Sequence, residues 1–202
     1  MFSIDQGKKA VYYARSVIEK FVRNEKIPEN NLEYVFEEKH GAFVTITTYP
    51  DHNLRGCIGI PLPVMPLKKA IAEGASSATN DPRFHSLSEK ELDNIIVEVT
   101  ILGVPKEIKV DEPKEYLSNI EIGRDGLIVE KGFFKGLLLP QVPVEQKWNK
   151  EDFLSHTCIK AGLMPDAWFD KDVKISKFSG QIFYEIKPRG EIKEKKLDGS
   201  DS

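Results

Sequence analysis

Twice in this chain, two strand-like runs follow one another across a short turn. Phe43 to Tyr49 is rich in β-branched residues; the loop PDHN follows, and LRGCIGI at 54–60 resumes the strand pattern. Further on, GLIVEKGFFKGLLLP at 126–140 repeats the arrangement, with GFFKG as the turn region. Runs joined this closely pair as antiparallel hairpins, because a parallel pair needs a long crossover. Helical patterns lie around the hairpins without alternating strictly with strands. The fold class that follows is α+β, a largely antiparallel sheet with packed helices, rather than a doubly wound parallel sheet.

The first helical pattern is the clearest. Ala10, Val11, Ala14, Val17, Ile18, Phe21 and Val22 recur at three and four residues, Ser3 and Gln6 form a capping-box pair ahead of them, and Pro28 lies beyond the end. Leu67, Ala70, Ile71, Gly74, Ala75 and Ala78 give a second, small-sided stripe that could sit close to a sheet. NDPRF at 80–84 breaks it, since the residue before a proline avoids the helical region. Ser88 and Glu91 predict a capped short helix, and Ile95 to Leu102 a strong strand. Glu107 to Val110 reads as a short strand and Pro113 to Leu117 as a short helix. Asn149 with Asp152 predicts the start of another helix, and Gly162 its end. QIFYEI at 181–186 closes the folded part. Residues 1–186 read as one domain, and the polar stretch 187–202 as a flexible tail. No internal repeat is present.

A chain of 202 residues with 40% hydrophobic and 30% charged side chains suits an ordinary globular protein. Its apolar runs are far too short to cross a bilayer, and MFSIDQGKK is no signal segment, so a cytoplasmic location is expected. A formal net charge of −3 disfavours nucleic acid as a partner. Lysine and glutamate outnumber arginine and aspartate, a bias seen in thermophiles. Cys57 and Cys158 cannot form a disulfide framework, and the scattered histidines show no metal-ligand spacing. Neither a metal nor a cofactor is expected.

LRGCIG draws attention because glycine weakens a strand. With period two, Leu54, Gly56, Ile58 and Ile60 share one face, and Arg55, Cys57 and Gly59 the other. A bulge, or close approach of another backbone or a ligand, would explain the glycines. Cys57 is the candidate nucleophile: a reactive thiol needs a nearby cation, which Arg55 could supply, and a base, which His52, His85 or His156 could be. The plainer reading is a small core residue. Cys158 falls in an apolar stripe and reads as packing.

In NDPRF, Asp81 could turn the chain, and Arg83 beside Phe84 offers a planar cation next to a ring, suited to a carboxylate, a phosphate or a base. The alternative is an internal ion pair of Arg83 with Asp81 or a glutamate. In LLLPQV, Gln141 could orient a ligand. Trp148 and Trp168 could stack one, although core packing suits each as well. No phosphate-binding loop or nucleophile-elbow motif occurs.

LRGCIG, NDPRF, LLLPQV followed by Trp148, and CIKAGL at 158–163 together resemble the AMMECR-one domain family, over roughly residues 5–186. His85 stands where related sequences often have proline. The resemblance implies an α+β fold of two lobes, the larger from both chain ends and the smaller from the middle, with the motifs gathered at a cleft. It implies no reaction. It suggests a pathway shared with Memo-type and radical-SAM proteins.

Two functional readings follow. In the first, a cleft takes a small anionic ligand or a peptide: Arg55 and Arg83 hold the anion, Gly56 and Gly59 allow its approach, Asp81 and Gln141 orient it, and Cys57 contacts or attacks it. In the second, the chain is a non-catalytic interaction module whose motifs mainly maintain the fold.

Overall fold

The computed structural model describes residues 1–27 and 32–195. Pro28 lies outside them, as does the end of the expected tail, 196–202. In chain order the elements are α1 (Ile4–Val22), β1 (Gly41–Thr48), β2 (Leu54–Ile60), α2 (Leu67–Ala78), β3 (Ile95–Leu102), β4 (Lys106–Glu107), α3 (Tyr116–Asn119), β5 (Asp125–Lys131), β6 (Phe134–Leu138), α4 (Gln141–Glu145), α5 (Lys150–Lys160), β7 (Lys174–Glu185) and β8 (Ile192–Lys195). Among the described residues, four 3-10 turns lie between them. This is an α+β fold, in which the pairings β1–β2, β1–β3, β4–β7, β5–β6, β5–β7 and β7–β8 are antiparallel. Among the described residues no helix is long and apolar enough to cross a membrane.

The chain divides into two compact units. The first comprises Met1–Leu102 and Gln181–Lys195. Its strands run in the order β2-β1-β3-β7, with β8 on β7. α1 begins with the capping box: Ser3 accepts from the Gln6 N–H, and Gln6 Oε1 accepts from the Ser3 N–H at 2.9 Å. Ala10, Val11, Ala14, Val17 and Ile18 are fully buried and pack with α2 and β3 in a core that also holds Val44, Ile46, Val97 and Val99, whereas Phe21, at the end of the helix, stays exposed. α2 packs on β1 and β2 through its small residues. A buried ion pair crosses this core. Arg15 Nε donates to Glu185 Oε1 at 2.9 Å, Arg15 Nη1 and Nη2 reach the Leu92 and Ile95 carbonyls, and Val97 N–H donates to Glu185 Oε2. Satisfying every partner is what makes such a pair tolerable in a core.

The second unit is Gly103–Gly180, with strand order β7-β5-β6 and β4 also on β7. Gly132, at φ +57°, makes the tight turn between β5 and β6. α5 starts with Asn149 accepting from the Asp152 N–H at 2.9 Å, and Gly162, at φ +79°, follows its end. Phe153, Leu154, Cys158 and Trp168 are buried here with Leu127, Val129 and Ile175.

Two expectations need correction. The stretch after Ile186 is not a free tail up to Lys195. β8 pairs with β7 from Ile182↔Lys195 to Glu185↔Ile192, Ile192 is 2% exposed in the first core, and Arg189 pairs with Glu19 and Asp93. One buried isoleucine and a strand edge to pair with outweigh the polar composition. The second correction concerns LRGCIGI. The β1–β2 register shifts between Ile46↔Gly56 and Thr47↔Leu54, so Arg55 has no partner on β1 and Leu54 is exposed. The irregularity breaks the simple alternation and re-aims Arg55, as bulges do.

Candidate functional site

In the first unit, the two signature motifs lock into each other. β2 ends its strand order, so its outer edge lacks a strand partner among the described residues. NDPRF closes part of that edge with side chains. Asp81 Oδ2 accepts the Cys57 N–H at 2.9 Å, and Arg83 Nη2 donates to the Cys57 carbonyl at 3.3 Å. Asp81, 1% exposed, also accepts from Arg83 Nε at 3.0 Å and Nη2 at 2.6 Å, and from the Arg83 backbone N–H at 3.0 Å. The bond from Arg83, reinforced by the Cys57 and Arg83 amides, holds the Asp81 carboxyl well below the usual carboxylate range.

The glycines have the same origin. A Cβ on Gly56 would collide with the Ala78 carbonyl at the end of α2, and one on Gly59 would meet the Ala42 carbonyl and the Phe43 ring. The expected ligand space at both positions is filled by the protein itself. Of the two expected causes, the close approach at both glycines is that of the chain itself.

Arg55 Nε donates to Glu91 Oε1 at 2.8 Å. Glu91 Oε2 also accepts the Ser88 N–H and hydroxyl at 2.8 and 2.7 Å. Burial works against ionising Glu91, yet Arg55 and Ser88 bring its carboxyl down to about 2. The internal pairing weighed as the plainer reading of Arg83 is thus present, and Arg55 has its own carboxylate as well. Each guanidinium group is therefore held by a carboxylate of the chain itself. Both still border an open pocket of about 640 Å³, lined by Arg55, Pro82, Arg83, Phe84, His85, Ser86 and Glu91. The guanidinium carbons of Arg55 and Arg83 lie 6.0 and 5.6 Å from the Phe84 ring centre. Arg83 keeps 55% of its side chain exposed.

Cys57 lies beside this arrangement, half-buried opposite Thr45, whose hydroxyl donates to Sγ at 3.2 Å. Burial pushes its thiol above the ordinary value, against the lowering influence of Thr45 and Arg83. The cation that acts on it is Arg83 rather than Arg55, and it is outweighed. No imidazole bonds the thiol among the described residues. His52 sits in the β1–β2 turn against Tyr49, and His156 is stacked on Trp148 at 3.9 Å in the second unit. Trp168 is buried in the second core. Gln141 opens α4 in that unit, and its buried Oε1 has no partner among the described residues. Among the described residues, no group of three or more His, Cys, Asp or Glu could hold a metal ion.

Glu91 is the residue whose site role was missed. Its place in the Ser88 capping box was readable, whereas its bond to Arg55, 36 residues away, leaves no local signal.

The sequence pattern of the AMMECR1 family matches residues 11–183. The protein MJ0810 of Methanocaldococcus jannaschii is 56% identical over 198 residues, covering 98% of each chain. A protein of Aquifex aeolicus is 51% identical over 169 residues, 83% of this chain and 85% of that one. The crystal structure of an uncharacterised protein, PH0010 from Pyrococcus horikoshii, superposes with a TM-score of 0.84 at 46% identity, covering 95% of this chain and 97% of that one.

Proposed function

This chain belongs to the AMMECR1 family, and we propose that it is a non-catalytic binding domain whose pocket at Arg83, Phe84 and Arg55 receives an anionic group of a ligand. The observation that carries this reading is the mutual use of the motif residues. Asp81 is consumed by Cys57 N–H and Arg83, and the Cys57 thiol is raised, with no base bonded to it. A nucleophile needs the opposite: a lowered pKa, or a base within hydrogen-bond reach.

The carboxylates that brace the two arginines also set what the pocket can bind. Arg55 and Arg83 are balanced by Glu91 and Asp81, so a bare anion gains little net Coulomb attraction. A ligand that adds contact with the Phe84 ring to its charge is favoured over inorganic phosphate. Gln141 is left out of this pocket. A cytoplasmic setting belongs to the same reading.

Titration of the ¹⁵N-labelled chain with acetate and benzoate tests it. Amide shifts at Arg83, Phe84 and His85, larger for benzoate and lost in Arg83→Gln, are expected. Unmoved signals at those residues with either probe would overturn the proposal.

A further inference from the structure

On the other side of Pro82 lies a second pocket, of about 370 Å³, lined by Phe21, Ile58, Ser76, Ser77, Asn80 and Pro82. Its chemistry differs from the first. Phe21 and Ile58 offer an apolar wall, Phe21 with 39% of its surface exposed. Ser76, Ser77 and Asn80 offer hydroxyl and amide groups. Pro82 lines both pockets, so they adjoin at the NDPRF loop, which itself covers the β2 edge at Cys57.

We infer that the two pockets form one groove for an extended peptide, with an acidic side chain at Arg83 and Arg55 and an apolar side chain at Phe21 and Ile58. The inference rests on the reading of the first pocket as an anion site and adds the ligand's class. Length is the first argument. Arg55 and Ile58 are three residues apart on β2, about 10 Å at roughly 3.3 Å per residue. A simple carboxylate cannot reach both, whereas a peptide in the polyproline II conformation, with three residues per turn and a rise of about 3.1 Å, presents residues i and i+3 on one side roughly 9 Å apart. Complementarity is the second. The basic and aromatic end suits a carboxylate, the apolar end a branched aliphatic group, and the polar groups between them can meet peptide amides. The formal charge of −3 and the two bracing carboxylates set the groove against a polyanion such as nucleic acid.

The test uses the full ¹⁵N-labelled chain and two acetylated, amidated hexapeptides, Ser-Leu-Gly-Gly-Asp-Ser and Ser-Asp-Gly-Gly-Leu-Ser, with acetate alongside. One of the two orders is expected to shift Ser77 and Asn80 together with Arg83 and Phe84. Replacing its Leu by Ser, or its Asp by Asn, should weaken binding about tenfold, near 1.4 kcal/mol for either contact. Phe21→Ser should weaken the peptide to the same degree and leave the acetate shifts unchanged. The same spectrum reports whether that variant is folded, and Asn80→Ala serves as a second probe of the apolar end. If acetate shifts the first pocket but neither peptide moves Ser77 or Asn80, or the Leu→Ser peptide binds equally well, the groove is refuted and the anion pocket stands. If acetate, benzoate and both peptides leave the spectrum unmoved, both readings fall.

Discussion

Asp81 Oδ2 accepts the backbone N–H of Cys57 at 2.9 Å, in the place where a neighbouring strand would offer a carbonyl. With Arg83 bonded to the Cys57 carbonyl, one loop supplies both halves of a strand pairing from side chains. That explains why LRGCIG and NDPRF occur together: each is the other's structural partner.

Removing the carboxylate should therefore cost stability. Asp81→Ala leaves the Cys57 amide without its acceptor and should lower the unfolding free energy by about 1–3 kcal/mol. Hydrogen exchange at Cys57 should quicken more than at Val44 or Val97. A variant of unchanged stability, with the Cys57 amide still protected, would show that the loop does not hold the strand.

Gly56→Ala tests the approach of α2. The new methyl would meet a backbone carbonyl, that of Ala78, which cannot swing aside as a side-chain tip can. A loss of about 1–3 kcal/mol, or more, is expected from chemical denaturation. A neutral substitution would mean that the helix end yields freely.

The Arg55–Glu91 pair predicts an acid-side slope. The folded value of Glu91 is about 2, below its ordinary 4.5, so folding favours the charged form. Its contribution is complete above pH 4.5 and is lost as pH falls toward 2. Glu91→Gln should flatten the stability curve in that window and change little at neutral pH beyond the loss of the pair. An identical slope in the variant would assign the acid sensitivity to other carboxylates.

Truncation after Ile186 should destabilise the chain. It removes the burial of Ile192, worth about 1.5–3 kcal/mol, together with a strand pairing. A melting temperature lower by roughly 5–10 °C is expected for a chain of this size. An unchanged melting temperature would return 187–195 to the status of a dispensable tail.

That segment also shows where sequence reading loses its grip. Local signals were strong for α1, whose capping box and stripe are contained in its own residues. They were equally good for the β5–β6 hairpin, where Gly132 supplies the positive φ of the turn. β8 has a single buried apolar residue and exists because β7 offers an edge, so nothing in KPRGEIKEK announces it. The site divides in the same way. Arg83 with Asp81 lies within one motif, and its pairing was foreseeable. Arg55 with Glu91, and Gly56 with Ala78, depend on segments that only the fold brings together.

The most direct test of the central claim, that these motifs build a binding surface rather than a catalytic centre, is the pH dependence of Cys57 alkylation in the native chain. Iodoacetamide labelling, read by peptide mass spectrometry, should give a rate that inflects above the ordinary thiol value of 9.0. Cys158, buried and pushed up to about 11, should react more slowly still until the chain unfolds. Rapid labelling of Cys57 with an inflection below about pH 7 would reveal a stabilised thiolate, and would contradict the account.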